Sequence, residues 1–142
     1  MERVIPAPPE KIFELLAHPD RHREIDGSGT VRDPAAKSER LSLGSKFDMK
    51  MKLGIPYTMT NTVVEFEEGR RIAWQPRPKL MKFLGGRIWR YELEPVAGGT
   101  KVRESWDISQ ETGMKSVVAK GGKHTAANME KTLERIEQIV TA

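Results

Sequence analysis

Arg3-Val4-Ile5-Pro6-Ala7-Pro8-Pro9-Glu10-Lys11-Ile12-Phe13-Glu14-Leu15-Leu16 is the stretch that decides the fold. A three-residue apolar strand runs into a proline cluster that ends it and opens a helix, because proline's missing N–H costs little in a first helical turn. Ile12, Phe13, Leu15 and Leu16 then supply the helix's buried stripe. Moving outward, a second short helix is expected over Pro19–Glu24 and a turn over Ile25-Asp26-Gly27-Ser28-Gly29. A run of antiparallel strands follows, and one long amphipathic helix closes the C-terminus. That order describes a curved sheet around a helix, with room for a ligand between them.

The strands are read from period-two alternation. Lys46-Phe47-Asp48-Met49-Lys50-Met51-Lys52 alternates almost perfectly and turns Phe47, Met49 and Met51 inward. Tyr57–Glu67 gives a longer strand, and Arg70–Gln75 returns as its hairpin partner with Ile72 and Trp74 on one face. Arg87–Glu94 carries Trp89, Tyr91 and Leu93 on one face and turns at Ala97-Gly98-Gly99 into Thr100–Ser109. There Val102, Glu104, Trp106 and Ile108 share a face. Between these hairpins, Pro76–Gly86 reads as a loop of prolines, basic residues and exposed apolar side chains. From Glu111 the period becomes helical, with Val118, Thr125, Met129, Leu133, Ile136 and Val140 on one face and a kink expected at Gly121-Gly122.

The 142 residues are the size of one domain, 1–142, able to bury a core without staples. With no cysteine, disulfides and thiolate chemistry are excluded, and a cytoplasmic location is the simplest expectation. No signal-like segment and no run near 20 apolar residues is present, so stable membrane insertion is not expected. The net charge of +4 comes from 24 basic and 20 acidic residues, interleaved along most of the chain. Arg70, Arg71, Arg77, Lys79, Lys82, Arg87 and Arg90 form the densest basic region, best read as solvent-facing positions, and no nucleic-acid partner is expected.

Ile5-Pro6-Ala7-Pro8-Pro9-Glu10-Lys11-Ile12-Phe13, Glu65–Trp74, and Gly98-Gly99-Thr100-Lys101-Val102 with Ser105-Trp106-Asp107 resemble the START-like helix-grip superfamily (SRPBCC), in its polyketide cyclase/dehydrase-like branch. The resemblance covers almost the whole chain. It implies an α+β helix-grip fold: a curved antiparallel sheet of about seven strands wrapped around a long C-terminal helix, with two short helices after the first strand. Members include lipid and hormone carriers, aromatase/cyclases and chaperone activators. The matching motifs are strand, turn and helix-start signals and hold no catalytic signature.

Candidate ligand-binding residues are Phe47, Met49, Met51, Met59, Asn61, Trp74, Trp89, Tyr91, Glu104, Trp106, Val118 and Met129. They either line a concave apolar surface suited to a small hydrophobic or aromatic ligand or simply fill a core. Glu104 stands out because alternation places a carboxylate beside Val102 and Trp106. Burial would raise its pKa, as a general acid or base or a ligand anchor requires; Arg87, Arg90 or Tyr91 could instead neutralise it, or a bulge could turn it to solvent. Glu104, Tyr91 and Asn61 are therefore the candidate catalytic groups of an aromatase/cyclase-type enzyme, the alternative to simple carriage. His18, His22 and Asp26 lie close in sequence, but Pro19 breaks the helical register, so no metal site is expected, and no cofactor. A third alternative is an interaction module in which Leu80, Met81, Phe83 and Leu84, rimmed by Lys79 and Lys82, dock on a protein or membrane. The chain is expected to be a monomer or homodimer.

Overall fold

The structure, a computed structural model, describes residues 1–29, 31–34, 39–112 and 119–142. Strand β1 (Glu2–Ile5) leads into α1 (Pro9–Ala17), a 3-10 turn (Pro19–Arg21) and the short α2 (His22–Ile25). Strands β2 (Val31–Pro34), β3 (Lys46–Leu53), β4 (Ile55–Glu67), β5 (Arg71–Pro78), β6 (Ile88–Val96) and β7 (Gly99–Asp107) follow, and α3 (Gly122–Val140) closes the chain. All seven strands form one antiparallel sheet in the order β1-β7-β6-β5-β4-β3-β2. The sheet wraps around α3, with α1 and α2 bridging its two edges, which is the helix-grip arrangement.

One end of the sheet is packed solid. Ile5, Ile72, Val102 and Leu93 on the strands meet Ile12, Phe13 and Leu16 of α1 and Leu133, Ile136 and Val140 of α3, all fully or nearly fully buried. The Arg3 guanidinium reaches from β1 to Glu137 of α3. A bulge between Val63 and Glu65 shifts the register of β4. It turns Glu65 outward, where Arg90 binds both of its oxygens, and brings Phe66 inward, 5.4 Å edge-on to Phe13.

The closing helix differs from its expected course. Thr112 bridges Gly85 instead of beginning a helix, and Gly121 and Gly122 stand at the N-cap and first position of α3. Ala119 and Lys120 before the pair are helical and Gly121 is a turn, so the helical course is interrupted at the glycines, as expected, and α3 proper starts at Gly122. Strand β5 also runs three residues past Gln75. Pro76 and Pro78 fit because β5 pairs with β6 only through Trp74, so beyond it their missing N–H groups face no partner strand.

Gly27 fixes how α3 seats on the turn after α2. Its N–H donates to Thr132 Oγ1 at 2.9 Å, and Arg135 donates to the Asp26 carbonyl. A Cβ at position 27 would collide with the Asn128 carbonyl oxygen and stand 2.8 Å from the Thr132 backbone nitrogen. Gly27→Ala is therefore expected to destabilise the protein by about 2 kcal/mol, since backbone must move to admit it. Denaturant midpoints check this, and an unchanged midpoint would remove the close contact as a constraint.

Candidate functional site

The inward face of the sheet is read most directly from strand register. The two-residue turn Ala97-Gly98 places Tyr91 opposite Glu104 and Trp89 opposite Trp106, while β5 adds Ile72 beside Tyr91 and Trp74 beside Trp89. Across β4 and β3, Asn61 stands opposite Phe47 and Met59 opposite Met49. All of these side chains share one face. Phe47, Met49, Asn61, Trp74, Tyr91 and Glu104 are buried, as is Met129 on α3. Met51, Met59, Trp89 and Trp106 are only partly covered. Val118 lies outside the described residues.

That partial cover has a structural cause. The first fully buried residue of α3 is Met129, so its opening turns seal the sheet less tightly than its second half does. A Cβ added at Gly122 would stand 4.0 Å from the rim of the Trp106 ring, so the helix start passes close to it. Trp106 stacks with Trp89 at 6.3 Å between centroids. The inward face therefore has a packed end and a looser, aromatic and methionine-lined end.

Glu104 sits at the junction of the two ends, 3% exposed. Tyr91 donates its hydroxyl proton to Glu104 Oε1 at 2.6 Å. Among the described residues, Glu104 Oε2 and the neighbouring Trp106 Nε1 are both buried without a hydrogen-bond partner. Burial lifts the Glu104 carboxyl to about 8; the Tyr91 hydrogen bond and the N-terminal ammonium pull against this, and Asp26 adds to it. Tyr91 is raised well above its ordinary value by burial and by the adjoining carboxylate. The two arginines that could have neutralised Glu104 are engaged elsewhere: Arg90 with Glu65 and Arg87 with Glu111. A near-neutral pair results, with Glu104 holding a proton across most of the neutral range.

Asn61 is used less sharply, its amide donating at a long 3.5 Å to the Phe47 carbonyl. His22 is the residue of this region that sequence reasoning missed. Its ring is buried, stacked 4.7 Å from Trp74 and edge-on to Phe47 at 5.5 Å, and Nε2 donates to the Leu16 carbonyl at 2.8 Å. Burial lowers its pKa to about 4, so it stays neutral. Asp26 accepts from the Ser28 and Val31 amides in a turn role. Among the described residues no cluster of three or more His, Cys, Asp or Glu could hold a metal ion.

The outer face carries charge pairs. Arg71, Glu92, Arg103 and Glu2 succeed one another across four strands in alternating sign. A groove of about 220 Å³ there is lined by Arg71, Glu92 and Arg103 with the neighbouring Glu67, Arg70, Glu94 and Lys101.

Comparison with known proteins agrees with this geometry. A solved protein of Rhodobacter sphaeroides overlays with a TM-score of 0.73 at 17% identity, covering 99% of this chain and 89% of that one. The di-domain ARO/CYC StfQ from the steffimycin biosynthetic pathway overlays at 0.69 and 16% identity, covering 99% of this chain and 49% of its own. These likenesses establish the helix-grip class. Residues 1–141 match the family described as polyketide cyclase / dehydrase and lipid transport, and the chain belongs to that family. Uncharacterized protein Rv0088 of Mycobacterium tuberculosis is 37% identical over 139 residues, covering 93% of this chain and 59% of the relative. The chain thus spans about three-fifths of the length of the curated relatives it matches. No helix among the described residues is long and apolar enough to cross a membrane.

Proposed function

We propose that this chain binds a small, largely apolar molecule carrying an acceptor oxygen, between the inward face of the sheet and the opening turns of α3. The observation that carries this reading is a pair of buried groups on one face of β7, Glu104 Oε2 and Trp106 Nε1, that have no hydrogen-bond partner among the described residues. Two residues apart on a strand, their Cα atoms stand roughly 7 Å from one another. A protonated carboxyl and an indole N–H are both donors, and unmet buried donors are costly. A carbonyl oxygen, with two lone pairs, satisfies both. An ammonium would meet donors, and a carboxylate would enter an apolar site against Glu104 and Asp26. Trp89, Met51 and Met59 would supply the flat and adaptable walls.

The test compares 2-acetylnaphthalene with 2-isopropylnaphthalene, matched in shape but differing in the oxygen, by equilibrium dialysis. The ketone is expected to bind roughly tenfold more tightly, a preference kept in Glu104→Gln and lost in Glu104→Leu. Binding of neither compound would end the cavity reading; equal binding of both would end the oxygen selection alone.

A second reading, catalysis of cyclisation or dehydration, is favoured by the same raised carboxyl. Glu104 would give its proton to a carbonyl or departing hydroxyl oxygen while Tyr91 steadies the carboxylate left behind. Glu104→Gln separates the readings. Retained ligand binding with lost turnover of a poly-β-ketone substrate marks an enzyme, and a wild-type protein that binds this substrate without turning it over marks a carrier.

A further inference from the structure

The tip of the sheet formed by the β3–β4 turn and the segment after β5 is unlike the rest of the surface. The Lys79 amide donates to the Thr58 carbonyl, bringing the two segments side by side. From them project Ile55, Leu80 and Phe83, exposed by 78%, 94% and 72%, with Met81 half exposed between. Leu84 does not join them; its side chain is only partly exposed and its amide is bonded to Met81.

The same tip concentrates charge. Segments 48–60 and 76–86 hold Lys50, Lys52, Arg77, Lys79 and Lys82 against the single carboxylate Asp48, a local +4 that equals the net charge of the entire chain. Lys79 is paired with Asp48, and Arg77 donates to the loop carbonyls of Lys82 and Leu84. Lys50, Lys52 and Lys82 are exposed, and none of them has an ion pair among the described residues. Elsewhere on the sheet, Arg71, Arg90 and Arg103 are matched by carboxylates on neighbouring strands.

We propose that this tip docks peripherally on an anionic lipid bilayer, the side chains of Leu80, Phe83 and Ile55 entering the headgroup boundary and the lysines resting on the phosphates. Apolar side chains at a protruding tip, ringed by flexible ammonium groups, match a surface that is greasy beneath and negative above. An acidic protein would be met better by arginine forks and a flatter patch, and a nucleic acid by stacked aromatics. The tip also adjoins the looser end of the inward face, where Met51 and Met59 lie, so docking would set that end against the lipid.

The test is flotation of the full chain with phosphatidylcholine vesicles, with and without phosphatidylglycerol. Association is expected with the anionic vesicles only, weakened by added salt, and reduced about tenfold or more by Leu80→Ser with Phe83→Ser. Lys52→Glu with Lys82→Glu should abolish it as well. All four positions are exposed, so unchanged thermal midpoints are expected for both double variants. No association with either vesicle overturns the proposal, as does association indifferent to the serine pair, which would be charge attraction alone. Self-association lost in the serine pair without vesicle binding would assign the tip to a second copy of this chain and overturn it equally.

Discussion

Replacing His22 with alanine is expected to cost about 3 kcal/mol at neutral pH, through the lost stack on Trp74, the cavity left beside Phe47 and the orphaned Leu16 carbonyl. The same ring makes the fold acid-sensitive. Its native pKa of about 4 lies below the ordinary 6.5, so between these values the unfolded chain binds a proton that the native chain refuses. Stability from this group is complete above 6.5 and is lost as pH falls through 4, a span worth about 3 kcal/mol. His22→Phe keeps a ring in the stack and removes the titration. Urea midpoints measured across this range should therefore flatten in His22→Phe, and a slope equal to the wild type's would show that another group governs acid unfolding.

Glu104→Gln is expected to stabilise the protein by about 4 to 5 kcal/mol at about pH 9 and by no more than about 1 kcal/mol at about pH 5. The native carboxyl holds its proton up to about 8, against an ordinary 4.5, so between these values the native chain binds a proton that the unfolded one has released. Stability from Glu104 is complete below 4.5 and is lost as pH rises through 8. The amide cannot ionise, and its oxygen still accepts from Tyr91. Glu104 and His22 thus pull in opposite directions between 4.5 and 6.5, and only the Glu104 decline remains above that window. A Glu104→Gln gain of the same size at both pH extremes, or no gain at either, would mean that the native carboxyl titrates as it does in the unfolded chain and is not raised by burial.

Most of the fold was legible because it rests on short-range physics. The proline-opened α1, the alternating β3 and the hairpin at Ala97-Gly98 each carry their own periodicity or turn chemistry. The pairing of Tyr91 with Glu104 was equally within reach, since a two-residue turn fixes the register of β6 on β7. His22 gave no such signal. Its place depends on α2 packing against Trp74 and Phe47, which come from β5 and β3, far along the chain. The expected helical onset at Glu111 differs from the structure because helical spacing of apolar residues says nothing of where a preceding segment pairs with a loop, as Thr112 does with Gly85. Strand β5 was cut short for a related reason: proline marks a strand end unless one side of that strand lacks a partner.

By itself the sequence determined the element order, the inward face of each hairpin and the presence of a carboxylate among apolar residues, because these follow from period, turn length and proline geometry. Only the tertiary structure decided what that carboxylate meets. Burial between sheet and helix raises Glu104, Tyr91 takes one of its oxygens, and the outward pairing of Arg90 with Glu65, set by the bulge in β4, removes the cation that could have neutralised it. Desolvation and partnership are properties of distant segments brought together, and no local pattern encodes them.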